Sequence, residues 1–75
     1  MACEVDLWNA FDAGKAEGVC DHRENHKAFN DVVDPRVPID KKRAALGILK
    51  KNNFKKTTDA LTTWLDCVTL ASSEQ

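Results

Sequence analysis

Residues 39–54 read Ile-Asp-Lys-Lys-Arg-Ala-Ala-Leu-Gly-Ile-Leu-Lys-Lys-Asn-Asn-Phe, and residues 55–71 read Lys-Lys-Thr-Thr-Asp-Ala-Leu-Thr-Thr-Trp-Leu-Asp-Cys-Val-Thr-Leu-Ala. At about 100° per residue, Ala44, Ala45, Leu46, Ile48 and Leu49 share one arc of a helix, and Arg43, Gly47, Lys50 and Lys51 share the opposite arc. Beyond the turn, Ala60, Leu61, Trp64, Leu65, Val68 and Ala71 follow the i, i+3, i+4 spacing of a second helix. Its outer face is Thr62, Thr63, Asp66, Thr69 and Leu70. Asn52–Asn53 is a suitable stop between them, because asparagine enters the left-handed conformation more readily than most residues. Asp40 is placed to cap the first helix, with Ile39 before it as a hydrophobic staple. The second helix is expected to start at Thr57 or Thr58. The stretch therefore predicts a helical hairpin, apolar inside, that holds every paired basic residue of the chain.

The rest of the chain fits around that hairpin. Val5, Trp8 and Phe11 lie three apart, with Leu7 four before Phe11, which predicts a helix over residues 4–13. Gly14 is its expected stop and residues 14–18 its following loop. Asp21 with Glu24 three residues on has the form of a capping box, opening a helix that presents Ala28, Phe29, Val32 and Val33. Asp34-Pro35 ends that helix, since proline disfavours helical backbone at the residue before it. Residues 72–75 are expected to fray. The fold class is all-α: one domain over residues 1–75, a small four-helix bundle built on the C-terminal hairpin.

Seventy-five residues leave room for one core, and a core of that size gains from a disulfide, a metal or a partner chain. No apolar run reaches the roughly 20 residues that span a bilayer. The acidic start Met-Ala-Cys-Glu-Val-Asp lacks the basic and apolar regions of a signal peptide, so the expected location is intracellular, cytoplasmic or nuclear. Cys3, Cys20 and Cys67 are odd in number and widely spaced, and in a reducing compartment they are expected to be free thiols.

Charge is segregated along the chain. Residues 1–40 hold nine acids and four bases, residues 41–56 seven bases and no acid, although the whole is at −1. A strip of Lys42, Arg43, Lys50, Lys51, Lys55 and Lys56 is the candidate nucleic-acid or anion site, with Lys41 beside it. Such a strip would follow a phosphate backbone by charge and not by reading bases. Lys55, Lys56, Thr57 and Thr58, at a helix start, could also hold one anion on free amides.

Other chemistry is weaker. Cys20, His22 and His26, with Cys3, have the donor types for zinc, yet no closely spaced cysteine pair accompanies them. A calcium loop centred on Gly18 would put Ala13 where the first aspartate belongs. Cys20 with a neighbouring histidine is the one local nucleophile pair, and a domain this small has little room for a substrate cleft. The expectation is a non-enzymatic protein with no metal, no cofactor, no small-molecule substrate and no membrane contact.

Residues 44–64 resemble the lissencephaly-homology motif: an apolar pair, a short turn with glycine and an aromatic, a threonine-alanine step, a large apolar residue and an acid. Ile48-Leu49, Asn53-Phe54, Thr57-Thr58 and Leu61 fall on those positions. Asn53 replaces the glycine, Thr58 the alanine and Trp64 the acid, and Ala44-Ala45 stand where larger residues are usual. The resemblance implies dimerisation through the hairpin, with Ile48, Leu49, Phe54, Leu61, Trp64, Leu65 and Val68 as the expected interface. The expected role is thus a helical protein-interaction module, a homodimer or a binder of another protein. The alternative is a small RNA- or DNA-binding protein using residues 41–56.

Overall fold

A computed structural model describes residues 3–73. Over those residues the chain is all-α: α1 (Cys3–Glu17), a single 3-10 turn (Val19–Asp21), α2 (Arg23–Val33), α3 (Ile39–Lys51) and α4 (Lys55–Ser73). The helices associate in two antiparallel pairs, α1 along α4 and α2 along α3, with a lighter contact between α3 and α4. The molecule measures 37 × 22 × 17 Å. Its core is Ala10, Val19, Ala28, Phe29, Val32, Ala45, Leu46, Leu49, Leu61 and Leu65.

The α3–α4 turn has the structure its asparagines promised. Asn53 is left-handed at φ 69°. The Phe54 amide donates to the Leu49 carbonyl and the Asn53 amide to the Lys50 carbonyl, both at 3.1 Å. This is the Schellman arrangement, which satisfies the carbonyls that a helix end leaves open. Asn52 Nδ2 donates to Oδ1 of the buried Asn25 at 2.7 Å, tying the end of α3 to the start of α2. α4 then starts at Lys55, earlier than expected.

Several boundaries differ from the sequence expectation. α1 does not stop at Gly14 but continues to Glu17, and Gly14 is buried. The reason is packing: a Cβ at Gly14 would lie 3.2 Å from Cε2 of Phe29, so a bare backbone lets the two helices approach. The actual stop is Gly18 at φ 73°, where a Cβ would come within 2.7 Å of an Asp21 carboxylate oxygen. Asp21 does not cap α2, because it is held in the 3-10 turn; His22 occupies the N-cap with no side-chain bond. Asp40 does not cap α3 either, since Ile39 is already helical and Pro38 is the N-cap. α2 does end at Asp34, whose carboxylate accepts the Arg36 amide at 2.9 Å and Nε at 3.1 Å. α4 continues to Ser73, past the point where fraying was expected; residues 74–75 of that expected tail lie outside the described residues.

The thiol expectation is corrected most plainly. Cys3 and Cys67 form a disulfide, with Cα atoms 5.7 Å apart, joining the start of α1 to the distal half of α4. Only the tertiary pairing reveals it: 64 residues separate the two, and the antiparallel packing of α1 on α4 brings them together. Cys20 is free and exposed.

α1 turns two of its large apolar residues outward. The buried or half-buried positions are Cys3, Asp6, Leu7, Ala10, Ala13, Gly14 and Glu17, three and four apart along one side of the helix. Val5 is left 63% exposed and Trp8 66% exposed. The small residues Ala10 and Gly14 are buried, and the bulky Val5 and Trp8 face outward.

Candidate functional site

The basic residues of 41–56 do not form one strip. Lys42 is buried at 8% exposure. Its Nζ donates to the Val32 carbonyl at 2.6 Å and the Asp34 carbonyl at 2.5 Å, and it lies 5.7 Å from the centroid of the Trp64 ring. The ammonium therefore closes the C-terminal end of α2, where a cation is favoured by the helix dipole. Burial holds it below the usual lysine range, although the Asp34 and Asp31 carboxylates pull the other way. Lys42 is thus a structural residue here, and its placement in a surface anion site is corrected.

The amides at the start of α4 are also occupied. α4 has no acid in its own first turn, and Glu17 at the end of α1 supplies one from across the interface. Its carboxylate accepts the Thr57 amide at 2.7 Å, the Thr57 hydroxyl at 2.7 Å and the Lys56 amide at 3.3 Å. Burial alone would raise the Glu17 carboxyl; the Thr57 hydroxyl and amide, the Lys56 amide and the Lys56 charge together hold it below its usual range. The anion expected at this helix start is a side chain of the protein itself. Nothing in the local sequence marked Glu17, because the pairing spans 40 residues; the one clue was a helix whose first turn has no acid of its own.

What remains exposed is a cleft between α3 and α4 of about 1080 Å³, lined by Arg43, Leu46, Gly47, Lys50, Asn53, Lys55, Thr58, Asp59, Thr62 and Thr63. Arg43, Gly47 and Lys50 are three and four apart and so share one face of α3. Lys55 and Asp59 are the charges contributed by α4. Nothing lies within 4 Å of a Cβ built on Gly47, so the cleft is open over that position. The α4 threonines can line it without breaking the helix because the hydroxyls of Thr58, Thr62 and Thr63 donate back to the carbonyls four residues earlier, at 2.7, 2.8 and 3.0 Å. Lys41, Lys51 and Lys56 are exposed but outside the cleft lining.

The expected interface residues are placed mostly inside. Leu49, Leu61 and Leu65 are fully buried in the core, and Phe54, Trp64 and Val68 pack against it half-buried. Of that set Ile48 is at the surface, 38% exposed. The apolar sides of α3 and α4 are therefore covered by α2 and α1 of the same chain, which takes Leu49, Leu61 and Leu65 out of the expected interface. Cys3, a possible partner for Cys20, His22 and His26, is held in the disulfide, and the described residues show no cluster of three metal-ligating side chains. No described helix is long and apolar enough to cross a membrane.

Comparison of the chain with protein-family models, curated proteins and solved structures finds no match.

Proposed function

We propose that the protein is a non-enzymatic interaction module that receives an acidic, amphipathic helix of a protein partner in the α3/α4 cleft. The observation that carries this is the cleft itself: cations Arg43, Lys50 and Lys55 on its walls, Leu46 at its base, and open space over Gly47. A helix lying in a groove needs an apolar floor for its buried stripe and charges at the rim for its flanks. Taken as a small bundle built on the hairpin, the four helices leave this groove open on the α3/α4 side. A dimer through the apolar side of the hairpin, as the lissencephaly-homology resemblance implies, would have to open the core that Leu49, Leu61 and Leu65 close.

Nucleic acid is the competing occupant. A duplex would favour a continuous cationic surface, whereas Lys42 is turned inward, the Lys56 charge acts on Glu17, and Asp59 lines the groove. The test is fluorescence anisotropy with two labelled probes: a synthetic Glu-rich amphipathic helical peptide and a 20-base-pair RNA duplex. Gly47→Trp fills the cleft without touching the chain's own core. The peptide is expected to bind, and Gly47→Trp and Arg43→Glu/Lys50→Glu are expected each to weaken it at least ~10-fold. Binding of the duplex alone, falling steeply with salt, would replace this function with nucleic-acid binding.

A further inference from the structure

Resting on the cleft reading above, we infer that the helix received in the α3/α4 cleft is α1 of a second copy of this chain. The face of α1 turned away from α4 carries Val5, Trp8 and Phe11, all exposed, with Glu4, Asp12 and Lys15 around them. Trp8 and Phe11 are in ring contact at 5.8 Å, and Phe11 continues to the buried Phe29 at 5.5 Å, so the aromatic face is supported from below. A tryptophan 66% exposed beside a valine 63% exposed is an apolar surface of the kind that marks a docking site.

The charges on the two faces match. The cleft holds three bases and one acid: Arg43, Lys50, Lys55 and Asp59. The outer face of α1 holds two acids and one base: Glu4, Asp12 and Lys15. Each minority charge has a counterpart on the other face. Within one chain the two surfaces cannot meet, because the opposite face of α1 is packed on α4 and the Cys3–Cys67 disulfide fixes it there. Two copies can satisfy both, either reciprocally about a twofold axis or head to tail. The segregation of acids into residues 1–40 and bases into residues 41–56 then has a physical role: the first part of one copy attracts the second part of another.

Sedimentation of the oxidised chain from 10 μM to 1 mM, at low and at 0.5 M salt, tests this with two charge-reversed variants. One is Arg43→Glu/Lys50→Glu; the other is Glu4→Lys/Asp12→Lys. All four substituted side chains are exposed, and circular dichroism checks that helix content is kept. The wild-type chain is expected to self-associate, less at high salt, and each variant alone to associate at least ~10-fold more weakly. An equimolar mixture of the two variants is expected to regain association, because acidic α1 then meets basic cleft and basic α1 meets acidic cleft. A wild type that stays monomeric at 1 mM, or a mixture that does not recover, overturns the inference. Binding of the synthetic acidic peptide, blocked by Gly47→Trp, separates the two failures. With peptide binding and no self-association, the partner is not this chain but the cleft remains a helix site; with neither, both proposals fall.

Discussion

Lys42 and Glu17 show how single charged residues are settled by neighbours distant in sequence. Lys42 stands in a run of bases in the sequence, yet its buried side chain donates to two carbonyls at the end of α2. Lys42→Met keeps the stem over Trp64 and removes the charge, leaving those carbonyls short of a donor. It is expected to cost ~2 kcal/mol in chemical denaturation, the usual scale of a buried hydrogen bond to a charged group. Glu17 acts on pH. Its carboxyl is lowered in the fold from an ordinary value of 4.5, so its contribution is complete above that value and lost as pH falls through the lower folded one. Glu17→Gln should therefore destabilise the protein near neutrality by ~1 kcal/mol, the scale of a helix cap. The gap between variant and wild type should close in acid, as read from melting temperatures between pH 7 and pH 2.5. Neither role was legible in the sequence, since both depend on which helix ends the fold places side by side.

At the scale of the element, two glycines in helix interiors separate local from tertiary causes. Gly47 opens onto empty space and Gly14 onto the Phe29 ring at 3.2 Å. Gly47→Ala should therefore raise stability by up to ~1 kcal/mol through helix propensity alone. Gly14→Val should lower it by ~1–3 kcal/mol through overpacking. A pair of urea titrations reads both. The period of α4 and the stop at Asn53 were legible because they are encoded within a few residues. Gly14 reads as a terminator in the sequence but is helical, because glycine gives the same local signal whether it ends a helix or lets one pack closely. In α1 the helical spacing of Val5, Trp8 and Phe11 identifies the helix but not its buried side: Val5 and Trp8 are exposed, and Ala10 and Gly14 are buried.

At the scale of the whole molecule, one covalent bond joins the two ends of the helical assembly. The Cys3–Cys67 bridge closes a loop spanning nearly the entire sequence. By chain entropy a loop of that length is worth up to ~4 kcal/mol, a large share of what a 75-residue domain has. Reduction, or Cys3→Ala with Cys67→Ala, is expected to lower unfolding free energy by ~2–4 kcal/mol and to loosen the α1 end of the α1/α4 pair first. Hydrogen exchange under oxidising and reducing conditions should show protection lost in residues 3–10 before the α2/α3 pair changes.

The sequence by itself determined that the chain is all-α, that two helices of its C-terminal half meet at a turn at Asn52–Asn53, and that its charges are divided along its length. Those properties come from periodicity, backbone preference and composition, which act over a few residues at a time. Tertiary structure alone decided which cysteines join, which base is buried, which face of α1 is outward and where an open cleft lies. Each of these depends on the docking of α1 on α4 and α2 on α3, a choice made by shape and close approach between residues far apart in the chain.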